Sequence, residues 1–231
     1  MSEGHWIVEK VIAGHNLAFN MDTLVAMWAA MGFLLIISFI ATRKLTIFPT
    51  KLQYVFESIL GYFRNLVNGM IHKDGEKHFP LIASLFLFIV TANLMGQLPL
   101  KMIELKHGEI ASPTNDINLT AGLAVIVLVY YVVAGIIKKK HKFLLHEISF
   151  VGIISMLVEI LELFTRPLTL ALRLFGNILA GEILITALLG LCAWGLPLPI
   201  MFFEILVACV QALVFTMLTT VYIATAVNEE G

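Results

Sequence analysis

Thr165-Arg166-Pro167-Leu168-Thr169-Leu170-Ala171-Leu172-Arg173-Leu174-Phe175-Gly176-Asn177-Ile178-Leu179-Ala180-Gly181-Glu182 decides how the whole chain is read. The stretch is apolar enough for lipid, yet it sets a guanidinium between Leu172 and Leu174. An arginine at the bilayer centre costs roughly 2.5–3.5 kcal/mol on insertion scales, so it needs a partner, a wet cavity or a task. The composition around it fits a membrane setting. The 231 residues are 59% hydrophobic and 13% charged, where a soluble domain carries about 25% charge. The solvent for most of this chain is therefore lipid. A net charge of −1 leaves no basic excess to neutralise phosphates, which argues against a nucleic-acid partner. Cys192 and Cys209 lie in apolar runs without metal spacing and read as packing thiols.

Outward from that stretch, residues 148–191 are apolar but interrupted by Glu159, Glu162, Arg166, Arg173 and Glu182. Trp194-Gly195-Leu196-Pro197-Leu198-Pro199 breaks the apolar run that follows. The pattern predicts one long helix over 148–191, a turn over 193–199 and a last helix over 200–227. At 1.5 Å per residue the long helix would measure about 66 Å, against a hydrocarbon core of about 30 Å. It must tilt strongly, bend at Pro167 or run partly along the surface.

Three charge-free runs upstream, 23–42, 79–100 and 117–137, are each long enough to span. Residues 50–72 differ: Leu52, Val55, Phe56, Ile59, Leu60 and Phe63 recur at helical spacing, with Gln53, Glu57, Arg64 and Asn65 interleaved. That is an amphipathic helix lying in the interface, and Pro49 places its start. The expected fold is an all-α integral membrane protein, a single membrane domain over 1–231. It has five transmembrane helices plus the interfacial helix, the last two helices being long and strongly tilted. Asn93 and Gln97 share a face at i, i+4, either to bond a neighbouring helix, the simpler reading, or to line a water path. Ser112-Pro113-Thr114-Asn115-Asp116 is a turn cluster that could cap the next helix.

The N-terminus carries neither the basic nor the apolar region of a cleaved signal, so insertion falls to the first helix. Basic residues gather between Arg43 and Lys77 and again at Lys138 to Lys142. The positive-inside rule puts both in the cytoplasm, the N-terminus outside and the C-terminus inside.

On a helical wheel with Glu159 at zero, Glu162 falls at about 300°, Arg166 at about 340°, Arg173 at about 320° and Asn177 at about 0°. They occupy one stripe, bordered by the small residues Gly176 and Ala180, where another helix can come close. Glu182 falls off the stripe, at about 140°. Glu204, Ala208, Gln211, Phe215, Leu218 and Tyr222 make a second stripe on the last helix. Acids thus lie toward each face, with one cation and two amides between them. Such a pattern suits two offset polar inlets that stop at a cationic barrier. Glu162 and Arg166 at i, i+4 could equally be a plain helix ion pair. Arg173 has no acid within one helical turn.

Leu172-Arg173-Leu174-Phe175-Gly176-Asn177 followed by Ala180-Gly181-Glu182 resembles the signature of subunit a of rotary F-type ATP synthases. Residues 113–120 resemble that family's outward loop, and Gln211 to Phe215 with Leu218, Thr219 and Tyr222 resemble its final helix. The resemblance implies the ion-channel stator of the membrane motor, in a bacterial inner membrane. Its implied partners are a c-ring with one ion-binding carboxyl per hairpin, the peripheral-stalk subunit b, and lipid. Arg173 would then be the essential arginine that attracts the ring carboxylate and blocks a leak. Asn177, Glu182, Glu204 and Gln211 would belong to an outward half-channel with Asp116 at its mouth, and Glu159 with Glu162 to an inward one. Some members pair a carboxylate with a histidine where this chain has Glu182 and Glu204; two acids there could share a proton or suit a metal ion. The coupling ion stays open between H⁺ and Na⁺. No cofactor and no metal site are expected. The chain lacks a phosphate loop of the G-x-x-x-x-G-K-[ST] form, so it is read as a non-catalytic subunit without an ATP site. The competing reading is a self-contained secondary transporter, whose usual paired, interrupted repeats are not found here.

Overall fold

The absence of charge over 23–42 allows a helix that needs no polar solvent, and α1 runs Met21–Thr42. Its buried positions are alanines, Ala26, Ala30 and Ala41, whereas Trp28, Leu35, Ile36 and Phe39 are exposed. Small side chains face protein and large apolar ones face outward, the arrangement of a helix solvated by lipid. The structure is a computed structural model, and it describes residues 7–12, 15–43, 49–72, 74–97, 113–139, 150–191 and 197–228. Two antiparallel strands precede α1: β1 (Ile7–Ile12) and β2 (His15–Asn20), with Ile7 opposite Asn20 and Ile12 opposite His15. This hairpin was not anticipated from the mixed, polar reading of the N-terminus; the membrane part is all-α, as expected.

The interfacial helix α2 runs Lys51–Met70. Thr50 caps it, its hydroxyl accepting from the Gln53 amide at 3.4 Å. Pro49 therefore precedes the cap and does not open the helix. The buried face carries Gln53, Phe63 and Val67, and the Phe63 ring lies 4.4 Å from that of Phe86. At the other end, the Asn228 side chain donates to the Met70 carbonyl at 2.8 Å. Its oxygen accepts from the His72 amide at 3.3 Å. The last residue of the described chain thus satisfies orphan groups at the end of α2. Asn228→Ala should cost about 1–2 kcal/mol by leaving these groups unmet. In membrane vesicles this should read as faster proteolysis at the C-terminus; unchanged cleavage would remove Asn228 as the anchor.

Helix α3 (Gly75–Gln97) starts four residues earlier than the expected span. Asp74 adopts φ 69°, which ends the preceding turn. A Cβ at Gly75 would fall 2.6 Å from Asn68 Oδ1, the tip of a side chain that would have to swing aside, so the chain is closely packed where the two helices turn back. Arg64 and Asn68 both bond Glu76, at 2.7 and 2.8 Å. Lys77 and Lys138 bond Asp74 at 3.0 and 3.1 Å, and hold its carboxyl below the usual carboxylate range. These are exposed pairs and contribute little individually.

A single 3-10 turn, Pro113–Asn115, leads into α4 (Ile117–Lys139). Helix α5 runs Phe150–Leu191 with Pro167 inside it, and α6 runs Pro197–Val227. Its 42 residues make α5 about 63 Å long. The last helix begins three residues before the expected 200, because Pro197 and Pro199 sit in its first turn, where a missing N–H costs nothing. Residues 192–196, most of the expected turn, lie outside the described residues, as do 98–112 and 140–149. Among the described residues five helical segments are long and apolar enough to cross a membrane: Met21–Thr42, Gly75–Gly96, Ile117–Lys138, Leu161–Leu188 and Pro199–Val227.

The chain packs as two compact units. One comprises Met1–Lys44, Leu87–Leu119 and Phe175–Ala212; its buried residues include Ala26, Ala30, Ile89, Ala92, Ile178, Ala208 and Ala212. The other comprises Leu45–Phe86, Thr120–Leu174 and Leu213–Gly231; it buries Phe63, Ile82, Val127, Leu170, Leu174, Phe215 and Ile223.

Candidate functional site

Two arginines of α5 lie in the second unit with opposite surroundings. Arg166 is fully engaged. It pairs with Glu162 one turn back and donates to the Thr225 hydroxyl at 3.3 Å. Its guanidinium lies 5.0 Å from the centre of the Tyr222 ring and 5.9 Å from that of Tyr131. A carboxylate and two aromatic faces leave this cation neutralised in place. Arg173, seven residues on, is exposed. Among the described residues it has no ion-pair or hydrogen-bond partner. Of the two guanidiniums, only Arg173 can offer its charge to something outside the unit.

In the first unit the polar groups of α5 and α6 meet. Asn177 Nδ2 donates to Gln211 Oε1 at 2.7 Å, one amide half exposed on α5 and one buried on α6. One turn earlier on α6, Asn93 of α3 donates to the Ala208 carbonyl at 3.3 Å. Asn93 therefore does bond a neighbouring helix, the simpler of its two sequence readings; Gln97 closes α3. Glu204 is buried, and its carboxyl lies against the backbone of Gly181. A Cβ there would fall 2.4 Å from Glu204 Oε1 and 2.8 Å from its Cδ. Gly176, expected to mark a close helix approach, has open space where a Cβ would be. The contact falls five residues later, at Gly181. The backbone of Glu159 and Glu182 belongs to α5, but their side chains lie outside what is described.

Asp116 stands at the head of α4 as its cap. One carboxylate oxygen accepts from the backbone and side-chain amides of Asn118 at 2.8 and 3.0 Å. The other accepts from Asn20 Nδ2 at 2.9 Å and Thr23 Oγ1 at 3.0 Å. Burial pushes this carboxyl up, but the bonds from Asn20, Asn118 and Thr23 outweigh it and hold it below the usual carboxylate range. A carboxyl held low in the fold stabilises above its unfolded pKa, about 3.9, and loses that contribution as pH falls through its folded value. Asp116→Ala should cost about 1 kcal/mol, constant from neutral down to about pH 5 and fading only in stronger acid. Hydrogen exchange in the first turn of α4, compared with wild type across that range, checks it. A cost that disappears between neutral and mildly acid pH would refute the assignment.

A continuous apolar chain with polar groups gathered on its last two long helices describes a membrane component. The comparison with known sequences decides which: a family profile described as ATP synthase A chain matches residues 24–224. The chain belongs to the ATP synthase A chain family. It is similar to ATP synthase subunit a of Gloeobacter violaceus, at 41% identity over 217 residues, covering 92% of this chain and 86% of that one. As a member of the ATP synthase A chain family it is a multi-pass component of the membrane sector of an ATP synthase. Within this site, sequence reasoning missed two features. The tyrosines around Arg166 come from α4 and α6, remote along the chain. Gly181 was visible only as part of a motif, since its partner Glu204 lies on another helix.

Proposed function

We propose that the chain is the ion-conducting stator of a rotary ATP synthase, passing ions between two offset half-channels and the carboxyls of a c-ring. The observation that carries this reading is the contrast between two arginines of one helix. Arg166 is neutralised by Glu162 and the tyrosines, while Arg173 is exposed and without a partner among the described residues. A lipid-level cation of that kind favours the ionised form of any carboxyl brought beside it. Arg173 attracts each ring carboxylate in turn and blocks direct passage of ions between the half-channels.

Asn177, Gln211, Glu182 and Glu204 line the outward half-channel, with Asp116 at its rim; Glu159 and Glu162 line the inward one. The hydrogen bond from Asn177 to Gln211 and the burial of the Glu204 carboxyl against Gly181 support a polar seam on that side. The N-terminus lies outside and the C-terminus in the cytoplasm of a bacterial inner membrane. The length of α5, about twice the hydrocarbon thickness, requires strong tilt along the ring. The peripheral-stalk subunit b and lipid are its other neighbours, and H⁺ or Na⁺ is the cargo. Reconstitution tests the reading. Liposomes carrying this chain with a c-ring should conduct H⁺ or Na⁺ under a membrane potential, and liposomes carrying the chain alone should not. Solute movement by the chain alone would make it a transporter and end the stator assignment.

A further inference from the structure

Two side-chain links join α3 to α4 within the second unit. Asp74, immediately before α3, bonds Lys138 of α4 at 3.1 Å. Four residues on, His78 Nδ1 and the Tyr130 hydroxyl lie 2.9 Å apart, with their rings edge to face at 5.7 Å. His78 is only 9% exposed. One backbone bond is missing from this part of α3, because Pro80 offers no N–H to the Glu76 carbonyl. The side-chain links therefore matter more here than along an unbroken helix.

A neutral imidazole can accept the phenol proton at Nδ1. An imidazolium carries N–H on both ring nitrogens and can only donate, so the Tyr130 proton must then turn to another acceptor. Among the described residues the charges acting on His78 are Asp74, Lys77 and Lys138, two ammoniums against one carboxylate. Both lysines already hold that carboxylate, at 3.0 and 3.1 Å. Arg64 of α2 and Glu76 of α3 are paired with each other. A cation at this buried position is costly unless paired. It must leave its pocket or draw Asp74 away from Lys138, and in both cases a link between α3 and α4 is lost. Tyr131, the next residue, lies against Arg166 at 5.9 Å and Tyr222 at 6.3 Å. Whatever fixes the rotation of α4 at Tyr130 therefore also fixes Tyr131 against α5 and α6.

We propose that His78 is a proton-sensitive latch between α3 and α4, closed on Tyr130 while the imidazole is neutral and released when it is protonated. Histidine changes charge between about pH 5 and 8, the range a cell visits. The closed form holds one proton fewer, so acid opens the latch and alkali closes it. On the topology proposed above, this end of α3 and α4 faces the cytoplasm, on the side of Glu162 and Arg166. Release of α4 slackens the contact of Tyr131 with Arg166, and acidification of the cytoplasm then slows ion transfer on that side. This effect on transport rests on the stator reading; the latch itself does not.

The test uses the complete ATP synthase. In lipid nanodiscs, hydrogen exchange at the last two turns of α4 is followed from about pH 8 to about pH 6 and corrected for the intrinsic effect of pH. It should rise by about three- to tenfold, since one proton can supply up to about tenfold per pH unit. His78→Phe keeps an edge-to-face ring without a titrating group and should abolish the rise. Tyr130→Phe removes the hydroxyl and should bring exchange at about pH 8 close to the acid level. His72→Gln, at the exposed histidine beyond α2, should respond as wild type does. In inverted membrane vesicles the cytoplasmic face meets the bath. There, ATP-driven pumping by His78→Phe relative to wild type should grow about two- to fivefold over the same pH range. Exchange that is flat with pH in wild type would overturn the latch. So would a rise that persists in His78→Phe or Tyr130→Phe, or one that is lost in His72→Gln. A constant pumping ratio would overturn its control of transport. Ion flux surviving Arg173→Ala would end the stator reading and leave the exchange result standing. If His78→Phe fails to assemble, wild type and Tyr130→Phe decide.

Discussion

Arg173→Ala should abolish both ion-driven ATP synthesis and ATP-driven ion pumping in the assembled complex. Two unit charges about 4 Å apart in an effective dielectric of about 20 attract by about 4 kcal/mol. Losing that attraction corresponds to about a thousandfold in rate. The residue has no internal partner among the described residues and is exposed, so its removal should leave packing intact and assembly normal. Arg173→Lys keeps the charge but loses the rigid fork of donors, and should retain more coupled flux than alanine while staying well below wild type. Arg166→Ala is the control. It removes the contacts with Glu162, Tyr222 and Thr225, so its main effect should be on stability, with flux per assembled complex falling by less than about tenfold. The measurements are proton or sodium pumping and ATP synthesis in vesicles matched for assembled complex. Coupled synthesis in Arg173→Ala near the wild-type rate would sink the proposed function.

The second large effect is expected at Gly181. A Cβ there would lie 2.4 Å from Glu204 Oε1, far inside contact distance. The carboxyl is the tip of a flexible side chain, so Gly181→Ala should still fold and assemble. The acid must move, however, and being buried it has little room to do so without leaving its place in the α5–α6 seam. If Glu204 relays ions as proposed, displacing it should cut flux by roughly ten- to a hundredfold. Glu204→Asp draws the carboxyl back by one methylene, and in combination with Gly181→Ala it should recover part of the loss. A coupling between the two substitutions is what a double-mutant cycle would report for groups in contact. Simple additivity, or wild-type flux in Gly181→Ala, would show that the position of Glu204 does not matter to transport.

The pattern of apolar runs was enough to read five spans and an interfacial helix, because lipid solvation forces charge out of such segments and backbone hydrogen bonding forces them helical. Boundaries were less legible. The start of α3 depends on the left-handed Asp74 and the tight packing at Gly75, neither of which a hydropathy pattern registers. The start of α6 depends on prolines that break a helix interior but fit a first turn. Within the candidate site, Arg173, Asn177 and Gln211 stood out because polar groups at membrane depth are costly. The clamp on Asp116 did not, since Asn20 and Thr23 lie more than ninety residues before it. Nor did the surroundings of Arg166: the i, i+4 partner Glu162 was visible, but the tyrosine faces come from helices whose register no local pattern reveals.

The occupied state of Arg166 bears on how the motor steps. Seven residues separate it from Arg173, about 10.5 Å along the helix on nearly the same face. Two free guanidiniums so placed would give a passing carboxylate two adjacent energy wells, and a ring could stall in either. Under the proposed stator reading, Arg166 is committed to Glu162 and the tyrosines, and each ring carboxylate would meet a single well on its way round. On that reading the count of resting positions per revolution would equal the count of ring carboxyls, with no half-steps between them.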